Sequence, residues 1–228
     1  MSSNSFEEGK VLLINKPLHW TSFDVVRKIR NRIKIKKVGY AGTLDPLATG
    51  LLIVCTGKFT KKINEYMAQE KEYTGTITLG ATTPTFDLES EPENFKPLDN
   101  ITPEKLFAAT ASFTGEIQQV PPAHSAIKKD GKPVYLLARK GKDVQLEPRT
   151  IHIKEFAITN IEMPLVYFKV TCSTGTYIRS LANDFGAALG CGGHLSSLCR
   201  TRIGNYTIEA SKTMEAFLKE CEEEGGRE

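Results

Sequence analysis

The sequence predicts an α+β fold, with helices and strands mixed in one domain. Three observations carry that prediction. Segments that alternate polar and apolar residues interleave irregularly with segments of helical period, which argues against a regular βαβ ladder. No internal repeat and no clear linker divides the chain. The 228 residues, 40% of them hydrophobic and 25% charged, suffice for one sizeable core.

The elements follow in order. "VLLINKP" (11–17) reads as a short buried strand stopped by Pro17. Residues 21–33 read as a helix that Thr21 or Ser22 can cap, with Phe23, Val26, Ile29 and Ile33 on its apolar side and basic residues on the other. The glycines and Pro46 make 38–50 a loop, and "LLIVC" (51–55) a core strand after it. Phe59, Ile63 and Tyr66 or Met67 fall at helical spacing in 58–69. "KEYTGTITLG" (71–80) alternates and is β-branched, as a strand requires. A polar, proline-broken loop spans 82–100, and 102–113 opens a helix with Pro103 at its first position. Residues 121–143 are basic and turn-rich, with a short helix expected near 133–140. Strands are expected near 150–159 and 165–173, a helix over 176–190 ended by Gly190, and a final helix with an acidic face over 211–224.

Charge is unevenly placed. The last sixteen residues hold six acids and two bases, so a local −4 within a total of +3 leaves +7 on the rest. Seven bases and no acid fall in the eleven residues 27–37: Arg27, Lys28, Arg30, Arg32, Lys34, Lys36 and Lys37. Such a run is either a solvated face or a phosphate collector. No apolar run is long enough to span a bilayer, and "MSSNSFEEGK" lacks the apolar core of a signal peptide, so a cytoplasmic protein is expected. The five cysteines are odd in number and scattered, as reduced thiols would be. "CGGHLSSLC" (191–199) offers Cys191, His194 and Cys199 to zinc, but a fourth ligand at usable spacing is missing, and a helix-end turn with buried thiols is the plainer reading.

The segment that demands explanation is "GYAGTLDPLATGLL" (39–52), where glycines, small residues and Pro46 frame a single carboxylate, Asp45. "TGKFT" fails as a phosphate loop, because Leu52 stands at the first glycine position and Phe59 follows the lysine. No GxSxG elbow is present. Asp24, Asp87 and Asp184 are available as partners for a carboxylate pair, but Asp87 reads as a loop-solvating acid and Asp184 as a mid-helix surface acid. Asp45 either starts a turn or serves chemistry. A carboxylate facing a polyanion gathered by the basic helix is costly without a cation beside it.

That segment resembles the signature of the pseudouridine synthases, in particular the TruB-type enzymes that act at position 55 in the T-loop of tRNA. "KEYTGTITLG", "STGTYIRSLANDFGAALGCGGHLSSLCRTRIG", "INKPLHWTSFDVV" and "PPAHSAIKKDGKPVYLLARKG" are similar to further motifs of the family, and together they run in order from about residue 10 to 208. The resemblance implies a mixed, largely antiparallel sheet flanked by helices, with a thumb loop at about 121–148. It implies an isomerase that flips a uridine out of its stack, with Asp45 as the catalytic carboxylate, Tyr73 packing on the base and Arg179 pairing with Asp45. Tyr177 and Leu198 shape the uridine pocket, Tyr40 borders the substrate, and Lys16 and Arg200 serve the loop or the RNA. Arg30, Arg32, Lys34, Lys36 and Lys37, with the basic segment 128–142, would meet the RNA backbone. No cofactor or metal is implied, since the reaction neither gains nor loses atoms. The partner is the T-stem–loop of tRNA, with no membrane, no obligate protein partner and a monomeric state. The rival reading is a non-catalytic RNA-binding protein on the same scaffold.

The sequence departs from the family pattern in three places. Tyr40 stands where many members have histidine, which removes an imidazolium as proton donor there. His19 stands where glycine is common in "KPxGxTS", so an altered loop is expected. The catalytic part is read as 1–208, and 209–228 as a helical tail too short for the small RNA-binding PUA domain that many relatives append.

Overall fold

The computed structural model describes residues 5–123, 128–129, 132–133 and 146–225. From the N-terminus run α1 (Ser5–Glu8), β1 (Val11–Lys16), α2 (Ser22–Ile33), β2 (Val38–Ala41), β3 (Ala48–Thr56), α3 (Ile63–Met67), β4 (Lys71–Leu79), α4 (Pro103–Ala111) and β5 (Gly115–Gln119). After them come β6 (Lys128–Lys129), β7 (Lys132–Pro133), β8 (Arg149–Glu162), β9 (Leu165–Cys172), α5 (Ile178–Ala188), β10 (Gly193–Ile203), β11 (Tyr206–Thr207), β12 (Lys212–Thr213) and α6 (Met214–Gly225). The fold is α+β with a largely antiparallel sheet and flanking helices, as expected. The chain divides into two units, Met1–Thr74 with Leu198–Glu228, and Gly75–Ser197.

In the first unit β3 is the organising strand. It pairs antiparallel with β1 along its length, from Val11↔Cys55 to Lys16↔Gly50. Its other edge takes β2 antiparallel at its C-terminal end and β10 parallel at its N-terminal end. Both faces of β3 are buried, which is why its sequence is a nearly unbroken apolar run. Leu52 and Val54 pack with Val25, Val26, Ile29 and Ile33 of α2 and with Met214 and Phe217 of α6. Leu51, Ile53 and Cys55 pack on the opposite face with Ala41 and Ile203. Helix α2 begins with a capping box: the Asp24 amide donates to the Thr21 hydroxyl, and the Thr21 amide donates to the Asp24 carboxylate. Two expectations need correction. Phe23 is 54% exposed, because the buried stripe runs through Ser22, Val25, Val26, Ile29 and Ile33, and a residue next to Ser22 is turned about 100° off it. Residues 38–41 and 48–50, read as loop, are strand, so only a short connection around Asp45 remains irregular.

In the second unit the strand order is β10-β4-β9-β8-β5. Strands β8 and β9 form a long antiparallel hairpin, and β5 adds antiparallel to β8. Ser196 and Ser197 donate to the Thr76 carbonyl and hydroxyl, stitching β10 to β4. Phe113, Phe156, Phe168 and Phe185 meet edge to face, with centroids 5.3–6.5 Å apart, and anchor α5 against the sheet. Helix α5 starts at Ile178, two residues later than expected, and Gly190 ends it at φ 77°. Nearly all of the helix expected near 133–140, and most of the basic segment 128–142 and of the thumb segment, fall outside the described residues.

Candidate active site

The loop that carries Asp45 is held from below by two buried cations. Lys16 of β1 and Arg200 of β10 lie in register on either side of Gly50 in β3. Their exposures are 0% and 1%. The Lys16 ammonium donates to the carbonyls of Pro17 (3.0 Å), Trp20 (2.5 Å) and Pro46 (3.5 Å). The Arg200 guanidinium donates to Leu51 O (2.8 Å) and Gly42 O (3.0 Å). Gly50 is required between them: its φ is 105°, and a Cβ there would lie 2.4 Å from the Arg200 carbonyl oxygen.

Three more contacts close the loop. The Ser22 hydroxyl accepts from the Leu44 amide and donates to its carbonyl, the His19 amide donates to Pro46 O (2.8 Å), and the Ala48 amide donates to Asp45 O. His19 reaches this position at φ 66°, a left-handed conformation that costs a side chain with a Cβ roughly 1–2 kcal/mol. Histidine here thus occupies a backbone conformation that favours glycine. Asp45 sits half-buried at the head of this clamp. Burial lowers the Lys16 pKa from 10.5 to about 8, and the Asp45 carboxylate opposes that fall. Of the two roles expected for Lys16 and Arg200, the loop or the RNA, their burial and hydrogen bonds fit the loop.

The other predicted residues of this unit divide by exposure. Tyr40, on β2, is half-buried with its hydroxyl 3.5 Å from that of Thr43. Tyr73, on β4, is buried, and Leu198, on β10, is half-buried opposite Ala48. Within the basic run, Arg30 turns inward and donates to Val38 O, and Arg32 pairs with Glu222 of α6 at 3.6 Å. Lys34, Lys36 and Lys37 are exposed.

In the second unit Arg179 is buried at 4% exposure on the first turn of α5. Its Nη1 donates to Thr85 O (3.2 Å), and its Nε lies 3.8 Å from the Asp87 carboxylate, itself 4% exposed. The reading of Asp87 as a loop-solvating acid is therefore corrected: it is a buried counter-ion to Arg179. Asp184 is also corrected, since it is half-buried and desolvation raises its pKa. Tyr177 caps α5 and is locked by Gln119, which accepts from the Tyr177 amide (2.9 Å) and donates to its carbonyl (3.0 Å). Sequence reasoning missed Gln119, Ser22 and the role of Asp87, because a glutamine in an edge strand or a serine next to a cap carries no local signal of a long-range contact. His194 is buried with Nδ1 3.0 Å from Ala81 O. Among the described residues no group of three or more His, Cys, Asp or Glu side chains is placed to hold a metal.

Comparison with known proteins settles the family. Residues 30–178 match the TruB family pseudouridylate synthase N-terminal domain, and residues 179–228 match the tRNA pseudouridylate synthase B C-terminal domain. The chain belongs to the TruB family. A TruB-family protein of Flavobacterium johnsoniae, named tRNA pseudouridine synthase B, is 51% identical over 216 residues, covering 92% of this chain and 94% of that protein. One from Bacteroides fragilis with the same name is 52% identical over 211 residues, covering 90% and 91%. Among solved structures, the chain is similar to one in a Cbf5–Nop10–Gar1 complex (TM-score 0.74, 30% identity), covering 94% of this chain and 54% of that one. It is also similar to one in an H/ACA RNP bound to a substrate RNA containing 2′-deoxyuridine (TM-score 0.72, 28% identity, 96% and 56% covered). The chain thus spans about half the length of those solved chains. Among the described residues no helix is long and apolar enough to cross a membrane.

Proposed function

We propose that the chain is a tRNA pseudouridine synthase that isomerises the uridine at position 55 of the T-loop. The observation that carries this reading is the Asp45 loop, fixed by two buried cations and joined to its neighbours by five hydrogen bonds at four backbone groups. So rigid a mount for one half-buried carboxylate matches what the reaction needs. In that reaction the N1–C1′ bond breaks, the uracil turns, C5 bonds to C1′, the C5 proton leaves and N1 takes up a proton. An ionised Asp45 serves each open route: attack on C1′, attack on the base, or removal of the C2′ proton. Arg179, oriented by Asp87 and Thr85 O, is the proposed partner that keeps Asp45 ionised.

Tyr73 packs on the flipped base, while Tyr177, Leu198 and Tyr40 border it. Flipping costs a few kcal/mol, which stacking and backbone contacts offset. Lys34, Lys36 and Lys37 meet the phosphates. The protein works as a cytoplasmic monomer without an obligate protein partner, and residues 1–208 form its catalytic part. The test is a bare T-stem–loop transcript with no other component. The wild type should form pseudouridine, whereas Asp45→Asn should bind with affinity within about threefold and form none; substantial residual product from that variant removes Asp45 from the central role.

A further inference from the structure

Beside the Asp45 loop lies a depression of about 360 Å³ lined by His19, Trp20, Asp24, Arg27, Lys28 and Asn31. None of the roles assigned above uses it, and four observations bear on its purpose. First, it is continuous with the catalytic loop: the His19 amide is bonded to Pro46 O, one residue past Asp45, and the Trp20 carbonyl is held by the Lys16 ammonium. Its walls are therefore positioned by the same buried lysine that positions Asp45.

Second, Trp20 packs one side against the core beneath α2 and is half-buried, so its indole forms a fixed wall rather than a mobile flap. Third, His19 is held in the left-handed region with its imidazole exposed. The ring is thus displayed at the rim. Fourth, Arg27 and Lys28 stand exposed along the same side of the helix. Arg27 is paired with Asp24 at 2.7 Å, so Lys28 carries the uncompensated charge at this rim. Flat aromatic walls with cationic rims are the chemistry that holds an unpaired base and its phosphate. The volume suits one nucleotide.

We propose that this depression is a second RNA subsite, which takes a nucleotide flanking the target uridine, its base stacked on Trp20 and His19 and its phosphate near Lys28. The proposal rests on the functional reading above, and the experiment separates the two. Trp20 is the only tryptophan in the chain, so its fluorescence reports on this subsite alone. The probe is the T-stem–loop RNA, bound to full-length Asp45→Asn so that no turnover occurs, in versions with an abasic sugar at each position flanking the target.

Intact RNA should quench Trp20, and one flanking abasic site should abolish the quenching. Trp20→Phe should keep most of the affinity, whereas Trp20→Ala should raise KM about tenfold and change kcat much less, as expected for the loss of one stacked base. Binding with unchanged Trp20 fluorescence, or equal quenching by every abasic RNA, overturns the subsite and leaves the proposed reaction standing. Quenching that depends on one flanking base, in a wild-type protein that makes no pseudouridine, upholds the subsite and overturns the reaction. An RNA that does not bind at all overturns both.

Discussion

Lys16 has no surface left for RNA, yet it is the residue through which pH reaches the Asp45 loop. Its folded pKa, near 8, lies below the 10.5 of an exposed lysine. Between those values the unfolded chain holds more protons than the folded one, so the Lys16 contribution to stability rises with pH. Its contribution to the site moves the other way. Above about pH 8 the amine loses its charge and one of its N–H donors, while three carbonyls still face it. Turnover should therefore fall as pH climbs from 8 to 10, while the thermal midpoint gains on that of Lys16→Met over the same range; Lys16→Met should also lack the descending limb. A pH–rate profile beside melting curves checks both signs. Asp87 makes the complementary case. Asp87→Asn removes the acid from a buried ion pair and leaves the Arg179 guanidinium without that counter-charge, a change that typically costs about 3–5 kcal/mol. Chemical denaturation should show that loss, and single-turnover rates should fall more than RNA affinity does. Asp45 was legible in the sequence because its glycine-framed motif is local. Asp87 was not, because a buried and a solvated aspartate in a polar loop look the same in sequence.

At the scale of elements, periodicity identified the pieces with a continuous local pattern and lost those without one, whether at the sheet's edge or inside it. Strand β3 and helices α2, α4 and α5 declare themselves through continuous apolar runs, a cap, an N-terminal proline or a terminal glycine. Strand β5, "GEIQQ", shows one apolar residue among polar ones, since it is an edge strand with mostly solvated side chains. Strand β10 begins with glycine and histidine and runs through serines and arginines, so its pairing depends on partners far away in the chain, and no local pattern announces it. The β3–β10 contact is tight enough to test. Gly50→Ala would force a methyl group against the Arg200 backbone in a φ that alanine avoids, and should cost roughly 2–4 kcal/mol. The expected result is a clear drop in melting temperature, with Gly115→Ala, whose added Cβ meets nothing, losing only the smaller cost of its φ of 96°.

For the molecule as a whole, the basic and acidic segments that look separate in sequence are neighbours. Helix α6 packs its Met214 and Phe217 into the core beside α2, and Glu222 reaches Arg32. That pairing spends some of the positive charge of residues 27–37 internally and leaves Lys34, Lys36 and Lys37 outward. Replacing these three by Ala should weaken RNA binding and reduce the slope of log K against log salt by about 2–3 units. An unchanged slope, measured by titration at several salt concentrations, removes them from the phosphate path. The division of the chain has a last consequence, for synthesis. The second unit is one unbroken stretch, 75–197, whereas the first is assembled from both ends of the polypeptide. On the ribosome, the middle can fold while the beginning still waits for Arg200 to emerge and seat the Gly42 carbonyl. The clamp around Asp45 is therefore completed only after the entire middle unit has been made.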